Sequence, residues 1–268
     1  MSGPGRPTWL RGLGRALALL ALTAVALQIF FLLRVALMGV VDPGSTSFQR
    51  SEIWRLAVER QEVAWSQTWR DRDRIAAHLQ RAVIASEDAG FSDHNGVEWD
   101  AIEKAMERNQ RAEALAERRN EQIERREQAA AARGRPLDAP LRRAEARVVG
   151  GSTISQQLAK NLFLSGERTA PRKAQEIVVT YMLEALLPKS RILEIYLNHV
   201  EWGEGVFGAQ AAARHHFRVD ADQLAPMQAA RLAVMLPAPK RFEKRPGSAY
   251  VAGRAATIAA RMGAVELP

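Results

Sequence analysis

Between Ala16 and Leu33 the chain runs for 18 residues without a charge, and only Thr23 and Gln28 within it are polar. After Arg34 the apolar run resumes from Val35 to Val41. A helix needs about 20 mostly apolar residues to cross the hydrocarbon of a bilayer. Arg34 can carry its charge toward the headgroups along its own alkyl stem, so residues 16–41 read as one transmembrane anchor. Arg6, Arg11 and Arg15 precede the run, and basic flanks stay on the cytoplasmic side. Residues 1–15 are therefore expected in the cytoplasm and 42–268 outside it. A cleaved signal peptide competes, because Ala24-Val25-Ala26 has the small-x-small form of a cleavage site. The apolar run continues well past that site, whereas signal cores span only about 7–15 residues.

The chain has 268 residues, so the part beyond the anchor is long enough for a core of its own. It has no cysteine, which excludes disulfides and thiolate metal sites. The net charge of +8 raises the question of nucleic acid. Part of that charge flanks the anchor and the rest is interleaved with acids, with no aromatic-basic platform. A basic domain beside anionic headgroups accounts for it, and no nucleic acid is expected.

Asp42 to Ser47 is a breaker-rich linker. Helical periodicity runs from Ile53 to Ala85 and again over 102–106, 153–164, 172–187 and 191–198. Pro226 and Pro237 frame one more helix over 227–236. No alternating strand pattern stands out, so the expected fold is mainly α. Residues 107–147 differ in composition, with 11 arginines against 8 acids. Mixed signs at helical spacing predict a solvated helical hairpin broken at Gly134-Arg135-Pro136, inserted into the domain.

Chemistry-bearing residues fall in a few blocks. Glu87 and Asp88 end an apolar helical stretch, and burial there would raise a glutamate's pKa and make it a better base near neutrality. Phe91, His94 and Gly96 come next, with His94 expected to brace the loop that holds Glu87. Ser152 and Thr153 open a helical run whose exposed N–H groups could meet a phosphate or hydroxyl. Gln156 and Lys160 lie four apart on one face of it, and Gln157 sits beside them. Arg168, Arg172, Lys173 and Glu176 read either as exposed helix ion pairs or as a diphosphate site with an acid. Arg231 is the one charge in the apolar run 229–234 and needs a carboxylate or phosphate partner.

Taken together, these blocks resemble the peptidoglycan glycosyltransferases, glycosyltransferase family 51. Glu87, Asp88, Phe91, His94 and Gly96 match its first motif, and Gly150 to Asn161 its second. Arg172, Lys173 and Glu176 match the third. Lys189, Ile192, Leu193, Glu194, Tyr196, Leu197 and Asn198 match the fourth, and Arg231, Ala233, Leu236 and Pro237 the fifth. Glu98 stands where the family has Asp, and the arginine-rich stretch lengthens the interval between the first two motifs.

The resemblance implies a lysozyme-like, mainly α domain behind a single-pass anchor in a bacterial inner membrane, with the domain in the periplasm. It implies polymerisation of lipid II onto a growing glycan strand, with inversion and release of undecaprenyl diphosphate. Glu87 and Glu176 would be the catalytic acids. Ser152, Gln156, Gln157, Lys160, Arg168, Arg172, Lys173, Asn198 and Arg231 would bind substrate and diphosphate. Asp88, Phe91, His94 and Gly96 would shape the motif. No organic cofactor is implied; a divalent ion, Mg or Mn, near Asp88 or Glu176 is a further expectation, as are division or elongation proteins as partners. Ser-x-x-Lys and Lys-Thr-Gly do not occur, which points to a monofunctional member. A lysozyme-like lytic enzyme or an inactive cell-wall scaffold are the rival readings; neither requires the cations at 160, 168, 172 and 173.

Overall fold

A computed structural model describes residues 8–133, 141–146, 150–164, 166–167 and 169–268. The chain divides into one unit formed by 1–96 with 154–268 and another formed by 97–153.

The first unit begins with α1 (Thr8–Leu37), apolar and long enough over Gly12–Leu37 to cross a membrane. Its leucines, among them Leu17, Leu20, Leu22 and Leu33, are exposed. The stripe Phe31, Val35 and Met38, near its end, is buried. A capping box then starts α2 (Ser47–Arg55): the Thr46 hydroxyl accepts from the Gln49 amide at 3.0 Å, and Gln49 Oε1 accepts from the Thr46 amide at 2.8 Å. One π turn over Leu56–Arg60 ends on Gln61, which is left-handed at φ 54°.

The helix expected to continue from Ile53 to Ala85 is thus interrupted. The chain runs extended into β1 (Ser66–Gln67) before α3 (Ala77–Glu87). The apolar side chains that mimic helical spacing there are spent on a sheet instead: Trp65 stacks on Phe207 with ring centroids 4.5 Å apart.

Beyond the second unit, whose one described helix is α4 (Trp99–Ala132), the first unit resumes with α5 (Ile154–Phe163), α6 (Ala170–Leu186) and α7 (Lys189–His199). It continues through β2 (Glu201–Gly203), β3 (Val206–Phe207), α8 (Gly208–Phe217), α9 (Pro226–Met235), α10 (Pro239–Phe242) and α11 (Ala249–Met262). Thr169 caps α6 and Pro171 sits in its first turn. Leu187, held extended before Pro188, ends it. Pro226 opens α9, where its missing N–H costs no hydrogen bond.

The glycines between Glu201 and Gly208 suggest a hinged loop in a chain without strands. The segment instead forms the β2–β3 hairpin of a three-stranded sheet ordered β1–β3–β2, with β1 parallel and β2 antiparallel to β3. Strands of two or three residues are too short for alternation to show in sequence. Gly205, at φ 72°, makes the turn, and a Cβ there would lie 2.0 Å from the Ala64 carbonyl oxygen. The core joins Leu79 and Val83 of α3 to Leu158 of α5, Leu183 of α6, Leu193 of α7 and Leu232 of α9. The mainly α expectation holds.

The second unit corrects the expected hairpin. Among its described residues, α4 is one long helix whose surface carries i,i+4 pairs such as Glu107–Arg111 at 3.1 Å. The return segment 141–146 is not helical. Asn120 brackets it, donating to the Ala144 carbonyl at 2.9 Å and accepting from its amide at 2.7 Å, while Arg143 meets Glu124 at 2.6 Å. Asn120 thereby satisfies backbone groups that a helix would have paired internally. The expected break at 134–136 lies outside the described residues.

Candidate active site

Glu87 is the last residue of α3, where the exposed carbonyl ends of the helix disfavour negative charge. Burial pushes its carboxyl above the usual carboxylate range, and neighbouring Asp88 adds to this. Hydrogen bonds from Gln157 and Ser86 pull partly back. Gln157 Nε2 donates to Glu87 Oε2 at 3.1 Å. The other end of the same amide accepts from the Tyr196 hydroxyl at 2.9 Å. Because an ionised carboxylate only accepts, the Gln157 amide turns its NH₂ toward Glu87 and its oxygen toward the Tyr196 hydroxyl. The result is a carboxyl held in place, its pKa raised by burial.

Asp88 is buried and has a different task. One oxygen accepts from the Ile154 amide at 3.0 Å, at the N-terminus of α5, and the other meets His94 Nε2 at 2.8 Å. His94 Nδ1 accepts from the Gly96 amide at 3.0 Å, so the imidazole proton sits on Nε2 and points at Asp88. His94 therefore braces the Glu87 loop as the sequence suggests. Gly96, at φ 87°, could not be alanine: a Cβ would come within 2.7 Å of both Thr180 and Glu184. Phe91 is fully buried, with the Lys189 ammonium 4.5 Å above its ring.

On α5, Gln157 and Lys160 lie three apart on one side, with Lys160 exposed. Gln156, expected to bind substrate, is fully buried. Ser152 lies in the other unit, half-buried.

The first turns of α6 carry Arg172, Lys173 and Glu176. Arg172 Nη1 donates to Glu176 Oε2 at 2.8 Å, and the Lys173 ammonium donates to Oε1 at 2.5 Å. Glu176 is buried, so it serves first to hold two cations together at a helix N-terminus, where anions bind well. Arg172 Nε makes no hydrogen bond among the described residues and remains as a donor. Arg168 lies outside the described residues. Both oxygens of Glu176 and both of Asp88 take part in hydrogen bonds or ion pairs.

Two expected binding residues make contacts within the domain. Asn198 is fully buried and brackets the backbone of Arg70, accepting from its amide and donating to its carbonyl at 2.8 Å each; it also donates to the Glu194 carbonyl. Arg231 has no carboxylate partner among the described residues. It donates to the Pro246 carbonyl at 2.9 Å and stacks over Phe217.

The residue that sequence reasoning missed is Tyr196. Its one signal is a polar tip on the otherwise apolar face 192–197, since a buried tyrosine hydroxyl needs a partner. A second is Glu184, which ties Ser155 on α5 to Lys189 on α7.

The transglycosylase family model matches residues 56–118 and 135–263, leaving out the second half of α4 and the two ends of the chain. The chain is 45% identical over its full length to the biosynthetic peptidoglycan transglycosylase of Paraburkholderia phytofirmans, covering 97% of that protein. It is 48% identical to the protein of the same name from Burkholderia pseudomallei, over 91% of this chain and 83% of the relative.

Proposed function

The chain belongs to the transglycosylase family, and from that premise we propose that Glu87 is the general base with which it polymerises peptidoglycan glycan strands. The enzyme is a peptidoglycan glycosyltransferase. In our reading its substrate is lipid II. Glu87 takes the proton from the 4-hydroxyl of the acceptor's N-acetylglucosamine. The freed oxygen attacks the anomeric carbon of the growing strand from the face opposite the leaving group. A β-1,4 bond forms with inversion, and undecaprenyl diphosphate departs with the electron pair.

A diphosphate leaves readily once its charge is neutralised, so cations matter more than a general acid. Arg172, Lys173, Lys160 and Arg168 supply them, with Glu176 holding the cation pair. No step is routed through a metal. The single observation that carries the assignment is the elevated carboxyl of Glu87, oriented by the Gln157–Tyr196 relay. We read α1 as the anchor in the bacterial inner membrane, with the domain on the periplasmic side, on the strength of its length, its exposed apolar surface and its basic flank. Donor and membrane-bound enzyme then meet in two dimensions.

The test is incubation of the full-length, detergent-solubilised protein with lipid II. Polymer digestible by lysozyme is expected, lost at least about a hundredfold in Glu87→Gln, the lower end of what a general base contributes. Release of soluble muropeptides from intact sacculi without polymer would instead favour a lytic enzyme.

A further inference from the structure

Gln28 is an amide deep within an apolar helix, and the proposed reaction does not use it. It is not stranded. Its Nε2 donates to Gln175 Oε1 at 2.8 Å, and Gln175 Nε2 donates back to Gln28 Oε1 at 3.0 Å. Gln175 lies on α6 between Lys173 and Glu176. Gln28, Phe31, Val35 and Met38 succeed one another at spacings of 3, 4 and 3, which is one stripe of a helix. Phe31, Val35 and Met38 are buried, and Phe31 packs on Phe163 with centroids 5.2 Å apart. Leu27, Ile29, Phe30 and Leu33, on the other sides, are exposed. At about 1.5 Å per residue, Gln28 lies roughly 14 Å before the end of α1 at Leu37. On α6, Val178 and Tyr181 are exposed apolar side chains just beyond Gln175.

A stripe of Phe, Val and Met would tolerate rotation of α1 or a slide along it, because apolar contacts are non-directional. Two reciprocal hydrogen bonds do not tolerate it, because each needs its donor and acceptor in line at short range. We propose that the Gln28–Gln175 pair is a positioning device for catalysis: it pins the first turns of α6, with Arg172, Lys173 and Glu176, at a fixed depth and rotation relative to the anchor. Resting on the reading above, this sets the cations at the level where the lipid-borne diphosphate lies. Gln28 and Gln175 are thus positioning residues that act through Arg172 and Lys173.

The experiment uses the full chain in phospholipid vesicles supplied with lipid II. Gln28→Leu, Gln175→Leu and the double Gln28→Leu/Gln175→Leu variant should each lower kcat about tenfold, with KM within about twofold and thermal unfolding still cooperative. The double variant decides the matter. It removes both amides and leaves none unsatisfied, so a pair that merely fills its space would be restored to the wild-type rate, and that result overturns the proposal. The chain has no cysteine, so Gln28→Cys/Gln175→Cys can be bridged by a short thiol-to-thiol reagent and scored by mass. Bridging should recover kcat to within about threefold of wild type; a bridge that forms without recovery, or that fails to form, also overturns it. Failure of the wild type to polymerise lipid II would defeat the functional reading instead, and the bridging yield would still report whether the two positions meet.

Discussion

Leucine at position 157 removes the one amide that touches Glu87 while keeping the size of the side chain. The lost bond, Gln157 Nε2 to Glu87 Oε2 at 3.1 Å, stabilises the ionised carboxylate. Hydrogen bonds to charged groups are worth about 1.5–3 kcal/mol, and a carboxyl still reached by some solvent recovers part of that from water, so about 1.5 kcal/mol is the working figure. At about 1.4 kcal/mol per pKa unit, the acid limb of the kcat/KM profile should move up by about one pH unit. The direction is set by the chemistry: Glu87 already sits above the usual carboxylate range because of burial, and losing a donor raises it further. At a pH below both midpoints the variant is then about tenfold slower, and above both it converges on the wild type. Tyr196→Phe should move the limb the same way by less, since Gln157 remains but its amide is no longer oriented. The assay is polymerisation of fluorescent lipid II by the solubilised enzyme across a pH series, with kcat/KM fitted at each point. A loss of equal size at every pH, or an unmoved limb, would refute the assignment of Glu87 as the titrating base.

Glu201, buried at the start of β2, is pushed up to about 7 by desolvation despite Lys240 beside it. Its folded value exceeds its unfolded one, so its contribution to stability is complete below about pH 4.5 and is lost as the pH rises through about 7, up to about 3 kcal/mol in all. Denaturant unfolding at pH 5 and pH 8 should show this slope in the wild type and a flatter one in Glu201→Gln. Asn198→Ala, which strips three hydrogen bonds from buried backbone, should cost about 2–3 kcal/mol by thermal unfolding and leave KM for lipid II unchanged. Lys173→Met should lower kcat about a hundredfold, as loss of one charge-stabilising donor does, and steady-state kinetics that show only a KM change would contradict its role at the leaving group.

Several helices were legible in the sequence where apolar spacing and a terminal proline agreed; the longer pattern from Ile53 to Ala85 was not, since a π turn and β1 interrupt it. Thus α7 and α9 fall where spacing and proline place them, and Glu87 lies at the helix end its neighbours imply. The sheet was illegible: its strands have two or three residues, and Trp65 meets Phe207 from a distant part of the chain. Within the site, matching a motif told which residues matter but not how. Asn198 and Gln156 match as well as Glu87 does, yet one brackets backbone and the other is fully buried. Only partners remote in sequence separate bracing from chemistry, as Tyr196 shows through Gln157, 39 residues away.

Asp88 and Gly96 give the fold a kind of socket. Gly96 is wedged against Thr180 and Glu184 on α6, and the Ile154 amide, where the chain re-enters the first unit, is held by the Asp88 carboxylate. Both rims of the opening are therefore fixed by the catalytic unit itself and owe nothing to the length of chain between them. Each doubling of such a segment adds only about 0.6 kcal/mol of closure entropy. Residues 119–134, the part of this segment outside the family match, can therefore lengthen or shorten while Glu87 keeps its place.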